Sequence, residues 1–392
     1  MNRIVHLGPG AFFKAHLAAY TQDAADAGDR WDVVAISLLS ARAKAEFQGP
    51  YTLLERSLDG TRPRQIDVVR EVLHLGADRE AAMAALVSPE TKVVSLTVTE
   101  KAYAHGGADS VPHLLASTLD ARRAAGIAPF TCLSCDNLPS NGAGLRRLVG
   151  AWSDVEDVAF PSTMVDRITP ARTASTLAEG GPAAEECEAF RQWVIEDDFP
   201  QGRPAWEAGG AQFVSDVTPY EKMKLRMLNG AHSMIAYAGV VRGFQTVREA
   251  MADAEIANRV RAHMTAAAAT LNPLPCADFA AYGEALEARF RNPHLAHETY
   301  QIAMDGSQKM PQRVLAPALD ALERGQDISP FAFATAAWLA YLRGPHELRD
   351  PRAEELTPPT QEHIFALPDL VPPALAQSPL WRRAVAAALE MF

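Results

Sequence analysis

The sequence predicts an α/β chain in two parts: an N-terminal domain built on a mainly parallel, Rossmann-like sheet, and a mostly α-helical C-terminal domain. Three observations predict it. Short β-branched runs alternate with Ala-rich helical stretches through the first half. Those runs are apolar along their whole length rather than at every second residue, as strands covered on both faces require. After about Pro219 the strand-like runs cease and helix-period segments take over. At 392 residues the chain exceeds what one core usually organises, so two domains are expected, residues 1–218 and 219–392.

The elements follow in order. "RIVHLG" (Arg3 to Gly8) is the first strand, and "AFFKAHLAAYTQDAADAG" returns as a helix. "WDVVAIS" (Trp31 to Ser37), "TKVVSLTVT" (Thr91 to Thr99) and "FTCLSC" (Phe130 to Cys135) are three further strands. In the second part, "VREAMADAEIANRVRAHMTAAAATL" and "SPLWRRAVAAALEMF" read as helices. The longest apolar run, Phe331 to Leu342, is shorter than the roughly 20 residues a bilayer span needs. Ser329 with Pro330 at its start and Gly344 with Pro345 at its end are soluble-helix caps, so no membrane partner is expected.

Composition excludes other classes. Hydrophobic residues at 48% and charged residues at 22% describe an ordinary globular chain. With 48 acidic against 37 basic residues and a formal charge of -11, there is no basic field for nucleic acid. Four cysteines cannot staple a chain of this length, and "MNRIVHLG" enters a strand without a signal-peptide core, so a reducing cytoplasm is expected. Cys132 and Cys135 lie three apart on a strand and point to opposite faces, which favours two packed thiols over a redox or metal pair.

Several polar groups stand where chemistry could occur. In "HLGPGAFFKAH", Gly8 and Gly10 follow the first strand, and Ala11 and Phe12 open the helix, the place where a dinucleotide's pyrophosphate meets backbone N–H groups. Phe13 replaces the third glycine of the usual fingerprint, and a bare strand-turn-helix would look similar. The second strand ends without an acidic residue; Ser37, Ser40 and Arg42 are there instead, leaving NAD and NADP both open. Thr97, Thr99, Glu100 and Lys101 end the third strand, and Asp136 and Asn137 the fourth, at the carboxyl edge where open α/β sheets bind ligands. Asn141 before Gly142 reads as turn chemistry, since asparagine accepts left-handed backbone. Asp166 and Arg167 lie between apolar neighbours and could be a buried ion pair. Finally, "EKMKLRMLNGAH" places Lys224, Asn229 and His232 in an apolar helix. Burying a polar group unpartnered costs roughly 1 to 3 kcal/mol by mutational measures and an ammonium costs more, so they face solvent or something binds them.

The ordered blocks "HLGPGAFFKAH", "LTVTEKAY", "SCDNLPSNG", "MVDRITP", "QWVIEDDFPQGRPAWE", "KLRMLNGAH" and "IAMDGSQKMPQR" resemble the mannitol dehydrogenase family of long-chain polyol dehydrogenases. That family includes mannitol 2-dehydrogenase, fructuronate reductase and tagaturonate reductase. The resemblance runs from Arg3 to about Arg313; the last eighty or so residues add no motif. It implies a monomer or small homo-oligomer that moves a hydride, without a metal, between a nicotinamide dinucleotide and a sugar alcohol, ketose or uronate, in a cleft between its two domains. It further implies Lys224 as general acid/base, Asn229 and Asn137 as donors to the reacting oxygen, His232 as an orienting group and Lys309 as a basic substrate contact; Arg313 lies one helical turn on, where a uronate carboxylate would suit either cation, and Asp166 could anchor a sugar hydroxyl or the histidine. Gln301 departs from the pattern, standing where relatives often carry arginine.

Helix geometry tests this set. At 3.6 residues per turn Lys224 and His232 share one line and Asn229 adjoins His232, but Lys224 and Asn229 are about 140° apart. On a straight α-helix they meet one point only by wrapping around a ligand. Arg313 could equally be an ordinary surface charge, and His232 a helix histidine satisfied by a buried carbonyl. Two alternatives remain. A zinc enzyme would need converging Cys or His ligands, for which the eleven histidines and four cysteines show no suitable spacing. A regulatory dinucleotide-binding protein without turnover would have little reason to carry Lys224, Asn229, His232 and Asn137 together.

Overall fold

The computed structural model describes residues 1–40, 44, 47, 49–98, 110–275, 277–294 and 297–392. These form two compact units, Met1–Thr218 and Pro219–Phe392.

The first unit contains β1 (Arg3–Leu7), β2 (Asp32–Ser37), β3 (Tyr51–Ser57), β4 (Gly60–Ile66), β5 (Val69–His74), β6 (Thr91–Leu96), β7 (Thr131–Ser134), β8 (Thr163–Asp166), β9 (Glu185–Glu188), β10 (Gln192–Glu196) and β11 (Gln212–Val214). Five of them make one sheet in the order β5-β2-β1-β6-β7, with every neighbouring pair parallel. The helices α1 (Ala11–Ala15), α2 (Leu17–Asp26), α3 (Arg79–Val87), α4 (Val111–Ala124) and α5 (Asn141–Gly150) lie among these strands in the chain. This is the doubly wound arrangement, and its order reverses at β1, between β2 and β6, the switch point where such folds hold ligands.

Both faces of the sheet are buried, which is why its strands read as unbroken apolar runs. Ile4 and Val33 pack with Phe13, Leu17, Trp193 and Trp206 on one side. Val5 and Val34 pack with Leu86, Leu115 and Leu145 on the other. Cys132 and Cys135 fall in these two opposite cores as free, buried thiols. Burial pushes both thiols well above the ordinary cysteine range, so they pack as inert groups.

Eleven strands form among the described residues where periodicity indicated four. The edge strand β5, "VREVLH", carries Arg70 and Glu71 and so lacks the apolar run of its neighbours. The hairpin β3–β4 pairs through β3 with β9, and β10 joins β8 and β11 in a further small sheet. β6 ends at Leu96, earlier than expected.

The second unit is helical around one core. Its main helices are α6 (Gly230–Val241), α7 (Ala254–Ala269), α8 (Gly306–Met310), α9 (Ser329–Leu342) and α10 (Pro379–Leu389). α9 is buried nearly all round, as an apolar helix without a polar face must be. Its start differs from expectation: Ser329 is its first residue, and the Asp327 carboxylate accepts from the Ser329 N–H at 2.9 Å. Leu370, Leu375, Trp381 and Val385 bring the motif-free C-terminal stretch into this core. Among the described residues, no helix is long and apolar enough to cross a membrane.

Arg122 on α4 is 1% exposed and ties α4 to its neighbours without a carboxylate. Its guanidinium donates to the carbonyls of Ala128 at 2.6 and 2.9 Å, Ser88 at 2.7 Å, Leu86 at 3.1 Å and Thr91 at 3.2 Å. Arg122→Met keeps the volume but strands those carbonyls. Stability in urea is expected to fall by about 3 to 5 kcal/mol, and a loss under about 1 kcal/mol would show the network to be dispensable.

Candidate active site

In the first unit the chain leaves β1 through Gly8, whose φ of +87° is a left-handed conformation. A β-carbon there would lie 2.3 Å from the Thr97 carbonyl oxygen, so only glycine lets the turn close against the end of β6. At Gly10, the residue capping α1, a β-carbon would meet nothing within 4 Å, so a ligand can approach that backbone. Ala11 and Phe12 follow, partly buried. Phe13, in place of a third glycine, is fully buried and stacks on the His6 ring at 3.9 Å.

His6 organises this turn and was not singled out in the sequence, although an imidazole inside an apolar strand is itself a signal. Its Nδ1 is 2.9 Å from Ser95 Oγ and its Nε2 is 2.9 Å from Thr97 Oγ1, while the Thr97 hydroxyl donates to the Gly8 carbonyl at 2.9 Å. The chain is consistent when Ser95 donates to Nδ1 and the neutral ring donates through Nε2. Burial holds the His6 pKa down at about 3. Thr97 thus serves the turn itself.

The other strand tips are similarly engaged. Ser37 donates to the Ser40 carbonyl at 2.6 Å, closing the turn after β2. Asp136 accepts from the Val98 N–H at 2.7 Å and so clamps the ends of β6 and β7 together. Asn137 follows it, exposed beyond the tip of β7. The left-handed residue in that turn is Ser140, at φ 47°, not Asn141. Asn141 instead begins α5, and its buried carboxamide bonds the Asp136 carbonyl and both the N–H and C=O of Thr163 on β8, at 2.9 Å each. Thr99, Glu100, Lys101 and Arg42 lie outside the described residues.

Asp166 and Arg167 are both buried, but Arg167 has other partners. It donates to Glu55 at 2.7 Å, to the Ala15 carbonyl at 2.5 Å and to the Glu188 carbonyl at 3.0 Å. Arg167 holds the end of α1, and Asp166 closes β8 beside β10, paired with Gln192.

The second unit corrects the helix geometry. Lys224–Asn229 is a π-helix leading directly into α6, not part of a straight α-helix. In a π-helix residue i bonds residue i+5, so Lys224 and Asn229 stand on successive turns of one face instead of about 140° apart. His232 comes three residues later on α6, as Asn229's i+3 neighbour. Lys224 is 8% exposed, Asn229 and His232 partly buried. The His232 ring stacks on Phe290 at 5.4 Å and lies 5.3 Å from His297.

A widened turn needs outside support, and long-range partners supply it. The His263 Nε2 on α7 is 3.3 Å from the Arg226 carbonyl and donates to it from a ring that burial holds neutral, its pKa down at about 4. The Arg226 guanidinium bonds Asp320 at 2.6 Å and Thr270 Oγ1 at 2.7 Å.

The last two expected contacts sit on a second irregular stretch. Lys309 lies in the last turn of α8, its ammonium donating to the carbonyls of Met304 at 2.6 Å and Ile302 at 3.2 Å. Burial, with the Arg313 charge beside it, lowers its pKa. Arg313 lies in a second π-helix, Pro311–Leu315, and donates through Nη1 to Ser233 Oγ at 3.2 Å. It is no ordinary surface charge, since burial lowers even its pKa. Among the described residues, no three His, Cys, Asp or Glu side chains gather as a metal site would require.

A doubly wound sheet with a glycine turn at its switch point, joined in one chain to a helical unit with a lysine, an asparagine and a histidine around a π-helix, is a Rossmann-type dinucleotide-binding architecture. Comparison makes the class specific. The mannitol dehydrogenase Rossmann domain matches residues 2–208 and the mannitol dehydrogenase C-terminal domain residues 216–382. The chain belongs to the mannitol dehydrogenase family. It is 39% identical to the D-mannonate oxidoreductase of Escherichia coli K12 over 88% of this chain and 81% of that one. Among solved structures, it is similar to the Pseudomonas fluorescens mannitol 2-dehydrogenase in ternary complex with NAD and D-mannitol, with 33% identity, a TM-score of 0.80 and coverage of 99% of this chain and 91% of that one. It is likewise similar to a substrate-free D-sorbitol dehydrogenase, with 29% identity, a TM-score of 0.92 and coverage of 99% and 92%.

The buried histidines set a pH dependence. His6 and His16 stay neutral down to about 3 and His263 to about 4, all through burial, whereas histidine in an unfolded chain titrates near about 6.5. Below pH 6.5 the unfolded chain therefore binds protons that the native chain refuses. Stability should fall with pH by up to about 1.4 kcal/mol per unit for each histidine until its native pKa is reached. Urea midpoints followed by tryptophan fluorescence are expected to be clearly lower at pH 5 than at pH 7; equal midpoints would contradict the neutral assignment.

Proposed function

We propose that this chain is an NAD-dependent, metal-independent dehydrogenase that interconverts a secondary alcohol of a sugar alcohol or aldonate and the corresponding ketose or keto-uronate. The observation that supports it most is the π-helix Lys224–Asn229, which puts an amine and a carboxamide on successive turns just ahead of His232. Membership of the mannitol dehydrogenase family agrees with that reaction class.

The residues at the first turn fit a dinucleotide. Gly8 closes the turn and Gly10 leaves its backbone open, so the N–H groups of Gly10, Ala11 and Phe12 would hold the pyrophosphate. When bound, NAD supplies the ring carbon that accepts or returns hydride. Thr97 supports this turn through its hydroxyl. NAD is the proposed cofactor, NADP its alternative in the assay.

The chain's own groups handle the proton and the charge. In oxidation the Lys224 amine, held away from bulk water, takes the proton of the reacting hydroxyl; in reduction its ammonium returns it. Asn229 donates an amide N–H bond to the oxygen as it becomes alkoxide-like, a role whose loss typically costs on the order of 10²-fold in rate. His232 orients a neighbouring hydroxyl of the substrate. Lys309, whose ammonium already has two carbonyl acceptors, contributes positive potential to the same unit.

The test is turnover of mannitol, arabinitol, fructose, fructuronate and tagaturonate with each nicotinamide cofactor, before and after chelator. Activity with at least one pair, insensitive to chelator, is expected; nucleotide binding without any turnover would replace the enzyme by a sensor. Lys224→Ala should lower kcat by about 10² to 10⁴-fold and leave NADH affinity within about twofold, and an unchanged kcat would remove Lys224 from its role. Gly8→Ala should do the reverse, weakening NADH binding measured by fluorescence titration, because its β-carbon overlaps the Thr97 carbonyl.

A further inference from the structure

Buried cations in this protein are compensated in recognisable ways. Arg167 faces Glu55, Arg226 faces Asp320, and Arg122 is surrounded by carbonyls. Arg313 differs. Its Nη1 has only the neutral Ser233 hydroxyl, and its Nε is buried without a hydrogen-bond partner. No carboxylate among the described residues pairs with it. Nη2 is neither bonded nor sealed from solvent, so the guanidinium offers an open edge.

A half-buried charge whose Nε is sealed without a partner, and which has no counter-charge, is costly unless something else supplies that charge. The location narrows what that something is. Ser233 follows Asn229 by one turn of α6 and directly succeeds His232, so the Arg313 fork lies beside the helix face that carries both groups. The other nearby cation, Lys309, already has its ammonium on the Ile302 and Met304 carbonyls, 3.9 Å from Asp305. A planar fork with free N–H donors matches the two oxygens of a carboxylate better than a single hydroxyl.

We infer that Arg313, positioned by Ser233, binds the carboxylate of the substrate, and hence that the enzyme acts on sugar acids, an aldonate and its keto-uronate, in preference to neutral polyols and ketoses. This rests on the dehydrogenase reading above. The carboxylate would be a spectator: with the nicotinamide bound to take the hydride of the carbinol carbon, Lys224 would take the hydroxyl proton as the C=O bond forms, and Arg313 would hold the ionised acid group throughout.

The experiment is the ratio of kcat/KM for fructuronate to that for fructose, with the preferred cofactor, in wild type and in Arg313→Gln. Wild type should favour the acid strongly, and the ratio should fall on the order of 10²-fold in the variant, chiefly through KM for the acid. Arg313→Lys, which keeps the charge and loses the fork, should restore part of it. A ratio unmoved in Arg313→Gln, with both activities falling together, would make Arg313 a scaffold residue and overturn the inference. If Arg313→Gln does not fold, Ser233→Ala is measured in its place; a smaller fall in the same ratio is expected, and no fall overturns it. Should wild type turn over nothing, calorimetric titration with D-mannonate and with mannitol separates the two ideas. Tighter binding of the acid, lost in Arg313→Gln, upholds the carboxylate site while the dehydrogenase reading fails, and equal or absent binding rejects the site.

Discussion

At Gly230 two segments of the helical unit pass so closely that a β-carbon would sit 2.6 Å from the His263 ring and 2.8 Å from the Arg313 carbonyl. That crossing is the constraint on which the candidate site depends. It joins the two π-helices, Lys224–Asn229 and Pro311–Leu315, at the residue where the first becomes α6. A π turn leaves the regular i to i+4 ladder and is tolerated where neighbours supply the missing contacts. Here His263 serves the Arg226 carbonyl, and the Arg226 side chain is anchored on Asp320 and Thr270. The irregular backbone that presents Lys224 is therefore built into the packing rather than left to a flexible loop.

The nucleotide unit reaches its geometry by comparable means. Gly8 must be left-handed and must lack a side chain because the end of β6 already occupies that space. The Ser95–His6–Thr97 chain spans β1 and β6, and the Asp136 carboxylate locks β6 to β7. Each of these bonds uses a polar side chain to hold a strand end near the switch point. Together they set the turn that leaves the backbone open at Gly10.

Local surroundings separate these charges more sharply than residue type does. The buried charges of Arg167 and Arg226 are answered by Glu55 and Asp320, whereas the half-buried Arg313 has no carboxylate partner among the described residues. Lys309 is answered by backbone carbonyls, so its charge caps the end of Thr299–Ala303. A family motif containing both Lys309 and Arg313 gives them equal standing; only their surroundings tell them apart.

The sequence by itself determined the α/β class, because strands covered on both faces must be apolar throughout and their crossover helices must alternate with them. It also determined the family, through blocks of residues too specific to recur by chance. It left the short polar strands β4, β5 and β9 unread, since their stability comes from pairing partners and not from their own composition. Tertiary structure alone decided that Asn141 braces β8 instead of bending a turn, that Arg167 pairs with Glu55, and that Lys224 and Asn229 share a face. Those outcomes depend on groups tens of residues away, such as Asp320, His263 and Thr163. Local period describes only the regular helix that such distant contacts then reshape.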